Sequence, residues 1–91
     1  MGWQFKDSSE IICDEIDVTY SLIIDTIIKQ LANQFEAILE KPITTHEEMD
    51  QTFYINGLKF DLYCDWVECS IKTYSSEGEQ ILKRIQSAIN K

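Results

Sequence analysis

The chain has 91 residues, enough for one domain that buries only about 60–65% of the surface its unfolded form exposes. Apolar content of 44% and charged content of 26% exclude global disorder. Sixteen Asp and Glu against eight Lys and Arg give a net charge of −8 and a pI near 4.4, which argues against direct nucleic-acid or membrane partners and for a basic protein partner. The charge is uneven: Asp7 to Asp25 holds six acids and no base, Glu47 to Glu68 holds six acids and one Lys, and residues 69 to 91 carry four bases and two acids.

The first ten residues, MGWQFKDSSE, contain neither the apolar stretch nor the small-residue site of a signal peptide, and Lys6 breaks the myristoylation pattern. With no apolar run of membrane-spanning length, the expectation is a cytoplasmic protein. Residues 3 to 6 alternate, Trp3 and Phe5 on one side, and predict a short edge strand. DSSEIICDEID then reads as a second short strand or an early helical turn. From Asp17 to Glu40 the spacing of Tyr20, Ile24, Ile27, Ile28, Leu31, Phe35, Ile38 and Leu39 predicts one long helix ended by Pro42. Leu22 and Ile23 widen its apolar surface, either as deeper burial or as a dimer seam. PITTHEEMDQ, residues 42 to 51, is expected to be a long connection, with Thr45 and Glu48 framing a single helical turn.

Thr52 to Tyr74 is the most informative stretch. Asn56-Gly57 predicts a type I′ hairpin turn that pairs Ile55 with Leu58 and Phe53 with Phe60. Leu58, Phe60, Leu62 and Cys64 then share one face, and Lys59, Asp61 and Tyr63 the other. A reversal near Asp65-Trp66 places Leu62 opposite Cys69 and Phe60 opposite Ile71, adding Val67, Cys69 and Ile71 to the apolar face. The wet face would present Tyr54, Asp61, Tyr63, Glu68 and Tyr74 among Lys59, Ser70 and Lys72. After the sheet, Ser76 as N-cap and Glu79 at the third helical position predict a helix over 76–90 with Ile81, Leu82, Ile85, Ala88 and Ile89 inward. The expected fold is α+β, one domain over 1–91: a three-stranded antiparallel meander, with residues 3–6 as a fourth strand if they pair, covered on one face by a long amino-terminal helix and a carboxy-terminal helix.

Little in the chain suggests catalysis. Gly2, Gly57 and Gly78 are isolated, so no phosphate-cradling loop is present, and the single histidine, His46, follows no nucleophile elbow. Asp61, Asp65 and Glu68 have the side chains of a cation or acid-base site but no neighbouring Lys or His to position a leaving group. His46, Glu47, Glu48 and Asp50 read as a solvated acidic loop. The odd count of cysteines, Cys13, Cys64 and Cys69, without a C-x-x-C pair predicts reduced, inert core thiols and no zinc site. No cofactor, metal or catalytic residue is expected.

What remains is an interaction protein whose partner-binding residues are Tyr54, Asp61, Tyr63, Asp65, Trp66, Glu68, Glu47, Glu48 and Asp50, with Trp66 as aromatic anchor at a hairpin end. In size, charge and helix-flanked sheet the chain resembles the small acidic immunity proteins that bacteria make against their own nuclease toxins. The resemblance implies a tight one-to-one complex with a cognate toxin domain in the cytosol of the producing cell, and it carries over no site residues. Two alternatives are a dimeric acidic adaptor or secretion chaperone, with the long helix as dimer seam, and a phage-type inhibitor of a nucleic-acid-binding defence enzyme. The first reading accommodates a monomer or a homodimer.

Overall fold

A segment that alternates apolar and polar residues has one face to bury, and most of this chain is built from such segments. The computed structural model describes residues 2–13 and 20–90. β1 (Gln4–Asp7), β2 (Glu10–Cys13), β3 (Ile38–Leu39), β4 (Ile43–Thr44), β5 (Glu48–Ile55), β6 (Leu58–Asp65) and β7 (Cys69–Thr73) form one antiparallel sheet. Its spatial order is β1-β2-β7-β6-β5-β3, with β4 also on β5. Helices α1 (Tyr20–Gln34) and α2 (Ser76–Ile89) join a single apolar core on one sheet face, through Ile24, Ile27 and Leu31 and through Ile81, Leu82 and Ile85. The fold is α+β, but the three-stranded meander beneath a long helix is overturned: among the described residues the sheet has seven strands and α1 spans 15 residues.

The helix ends early for a local reason. Glu36 takes a left-handed φ of 54°, and the N–H groups of Phe35 and Ala37 both donate to the Leu31 carbonyl at 3.2 and 3.1 Å, turning the chain out of the helix. Beyond it the spacing that extended the helical stripe reads equally well as alternation, with Ala37 and Leu39 packed on the core and Ile38 outward. Ile38 and Leu39 pair with Tyr54 and Phe53, then Ile43 and Thr44 pair with Asp50 and Met49. Residues 40–42 therefore oppose only residues 51–52, which makes β3 and β4 one edge strand with a bulge. The Glu40 N–H donates to the Thr52 carbonyl at 2.9 Å and Gln51 Nε2 to the Glu40 carbonyl at 2.7 Å, while Pro42, lacking an N–H, sits in the bulge. The expected helix start at Asp17 and the side chains of Tyr20, Leu22 and Ile23 lie outside the described residues.

The expected long connection over 42–51 is β4, a tight turn and the start of β5. Thr45 N–H donates to the Glu48 carbonyl at 2.9 Å, and Thr45 Oγ1 accepts from the Glu47 and Glu48 N–H groups at 3.2 Å each. A threonine capping a helix and a threonine anchoring a turn satisfy backbone donors in the same way, which is why the pattern read as a helical turn.

The β5–β6 hairpin follows its turn chemistry: Asn56 and Gly57 have φ of 52° and 78°, Ile55 pairs with Leu58, and Phe53 pairs with Phe60, their rings stacked at 5.1 Å. The next reversal is centred on Trp66-Val67 rather than Asp65-Trp66, because Asp65 Oδ1 accepts from the Val67 and Glu68 N–H groups at 2.8 and 2.9 Å and fixes the turn there. Leu62 thus faces Ile71, Phe60 faces Thr73 and Cys64 faces Cys69. A slip of two residues preserves the faces, so Cys69 and Ile71 stay in the core, but Val67 leaves it for the turn, 68% exposed. Cys64 and Cys69, directly opposed with Cα atoms 4.0 Å apart, form a disulfide, which corrects the expectation of three reduced thiols; Cys13 is free and buried.

The cap of α2 also moves by one residue. Ser75, extended at φ −146° and ψ 159°, is the N-cap and accepts from the Gly78 N–H at 3.0 Å, leaving Ser76 as the first helical residue. Gly78 now holds the third helical position expected for Glu79, and a Cβ there would overlap the Thr73 hydroxyl. The amino terminus is tied to the other end of this helix. Trp3 is buried, its N–H donating to Asn90 Oδ1 at 2.6 Å and its carbonyl accepting from Asn90 Nδ2 and Gln86 Nε2 at 2.9 and 2.8 Å.

Candidate functional site

With both helices on one face, the opposite face of the central strands carries the polar positions. Register places Asp50, Thr52 and Tyr54 of β5, Lys59, Asp61 and Tyr63 of β6, and Ser70 and Lys72 of β7 there. Two of its tyrosines donate their hydroxyls to carboxylates: Tyr63 to Glu48 at 2.8 Å and Asp65 at 3.2 Å, and Tyr74 to Asp61. Tyr54 has the Glu40 carboxylate as its chief electrostatic neighbour. Each phenol is thereby held above its ordinary pKa, Tyr74 pushed up to about 12, because a carboxylate beside it holds the proton. Lys59 and Lys72 lie over the Tyr74 ring at 5.3 and 5.7 Å.

At one end of this face two turns lie side by side, Thr45–Glu48 and Asp65–Glu68, because Glu48 pairs with Asp65 in the β5–β6 register. The Trp66 indole N–H donates to the His46 carbonyl at 3.3 Å, joining the tips, and the ring remains 72% exposed. Glu47, Glu48, Asp65, Trp66 and Val67 line a concavity of about 390 Å³ between the tips. Asp65 is held below the usual carboxylate range by the N–H groups of Glu68 and Val67 and by the Tyr63 hydroxyl. Asp50 moves the other way, raised by desolvation against the sheet and then by the neighbouring Asp61 and Glu48 charges.

The residues singled out from sequence fall into two groups. Glu47, Glu48, Tyr63, Asp65, Trp66 and Glu68 converge on the hairpin end. Asp61 does not: four residues up β6 from Asp65, it lies about 13 Å along the strand and belongs with Thr52, at 2.7 Å, and Tyr74. Tyr54 stands farther along still, opposite Lys59, and Asp50 occupies the face between the groups. Sequence reasoning missed Val67, which it placed in the core, and the His46 carbonyl that receives Trp66. A turn-forming Asp two residues before Val67 was the available signal for the first. Among the described residues no three of His, Cys, Asp and Glu converge as metal ligands, and no helix is long and apolar enough to cross a membrane. No protein-family model, curated protein or solved structure matches the chain.

Proposed function

We propose that this chain is a non-enzymatic inhibitor that neutralises a basic protein, a toxin nuclease domain of the kind opposed by small acidic immunity proteins, and that it does so in the cytoplasm of the producing cell. The observation that carries the reading is the exposed Trp66 set between Glu47, Glu48 and Asp65 at the joined hairpin tips. An indole held in the open by its own hydrogen bond is preordered, so binding over it forfeits little conformational entropy. Carboxylates around an aromatic anchor suit a partner whose surface is rich in Lys and Arg, such as one that grips nucleic acid.

The test begins with affinity capture of the partner from the native host and proceeds to binding kinetics. Glu47→Gln with Glu68→Gln should slow association at low ionic strength and have little effect at high, because rim charges steer encounter. Trp66→Ala should accelerate dissociation roughly 30-fold, equivalent to about 2 kcal/mol. A partner that is acidic, or kinetics indifferent to both changes, would refute the proposal.

A further inference from the structure

The register sets three cysteines in one row. Cys13 of β2 pairs with Cys69 of β7, which pairs with Cys64 of β6, and all three are buried on the core face. Met49 of β5 continues the line opposite Cys64, so four neighbouring strands contribute sulfur to it. Directly opposed Cα atoms of an antiparallel pair lie roughly 4.5–5.5 Å apart, within the span of a disulfide. Cys13 and Cys64, two strands apart, are separated by about 9.5 Å and cannot be bridged without backbone movement. Cys69 is therefore the residue paired with both, with Cys13 on one side of it and Cys64 on the other. Attack on a disulfide sulfur takes place opposite the leaving sulfur, and the strand order β2-β7-β6 sets the two cysteines on opposite sides of Cys69.

We propose that the row is a thiol–disulfide exchange site, in which Cys13 displaces Cys64 from Cys69 and the disulfide passes from the β6–β7 hairpin to the β2–β7 pair. The Cys13 thiol gives up its proton and its sulfur bonds to Cys69 Sγ. The Cys69–Cys64 bond breaks, its electron pair leaving on Cys64 Sγ, which takes up a proton. One thiol and one disulfide exist before and after, so no oxidant or reductant is consumed. The starting bond closes the foot of the turn that carries Trp66, since only residues 65–68 separate the two cysteines. Exchange unties that turn and ties the sheet one strand closer to its β1 edge. The row stands whatever partner the hairpin end binds.

Two measurements test it on the full chain. Oxidised wild-type protein is held at neutral pH, quenched in acid denaturant at intervals, alkylated and mapped by mass spectrometry; the label should spread with time from Cys13 to Cys64. Label confined to Cys13 throughout overturns the proposal. Separately, Cys64→Ser, treated with the thiol oxidant diamide, should lose two hydrogens in mass as a monomer through a Cys13–Cys69 bond, while Cys69→Ser should lose none. Cys64→Ser that keeps its native circular dichroism and both thiols after diamide also overturns it. If that variant does not fold, the wild-type mapping decides alone.

Discussion

Asp65 performs two tasks with one side chain. Its Oδ1 collects the N–H groups of Val67 and Glu68, fixing the β6–β7 turn, and its Oδ2 receives the Tyr63 hydroxyl, so its charge is held by three donors. A carboxylate whose folded pKa lies below its unfolded value of 3.8 contributes stability above that value and loses it as pH falls through the lowered one. Asp50, raised in the fold, has the opposite sign, and its protonation on acidification relieves a cost. Carboxyl carbon shifts followed by NMR during acid titration should therefore show Asp50 protonating before Asp65, the β6–β7 turn loosening only with the latter. The tyrosines respond at the alkaline end. Their carboxylate contacts are intact below the ordinary phenol value of 10.0 and are lost as pH rises through the raised folded values, that of Tyr74 at about 12. Phenolate absorbance should accordingly show Tyr54, Tyr63 and Tyr74 ionising above pH 10.0, in step with opening of the polar face.

At the level of elements, a one-residue displacement of the cap gives a sharp test. Ser75→Ala removes the acceptor for the Gly78 N–H and should cost about 1 kcal/mol in urea unfolding. Ser76→Ala, at an exposed first helical position, should stay within about 0.5 kcal/mol of wild type. The same displacement shows what the amino-acid pattern conveys about this chain. Asn56-Gly57 specified its hairpin and register because positive φ at two consecutive residues admits few other side chains. Faces throughout Thr52 to Tyr74 were legible because period-two alternation survives a slip of two residues. Serines at 75 and 76 offer equivalent caps, and the choice fell to packing, where Gly78 must sit against Thr73. Phe35 to Leu39 satisfied both helical and strand spacing, so only pairing along β5 decided for the strand. The hairpin-end residues were readable as a group, whereas Asp61 was grouped with them although it lies four residues from Asp65 along β6.

On the scale of the whole molecule, chain ends 87 residues apart are fastened together. Asn90 and Gln86 of the last helix clasp both backbone groups of Trp3, and the indole lies in the core at 4% exposure. Trp3→Ala should cost about 3–5 kcal/mol, a large share of the roughly 5–15 kcal/mol by which domains are stable, with the loss read in denaturant titrations followed by circular dichroism. The two tryptophans thus occupy opposite situations in one molecule, Trp3 sealed beneath the joined ends and Trp66 exposed to solvent at the hairpin tips. Their emission divides accordingly. Trp66 should fluoresce at long wavelength and be quenched readily by iodide, and Trp3 should emit to the blue and resist the quencher until the protein unfolds. A single unlabelled sample thereby contains two built-in optical probes, one sensing the surface and the other the integrity of the fold.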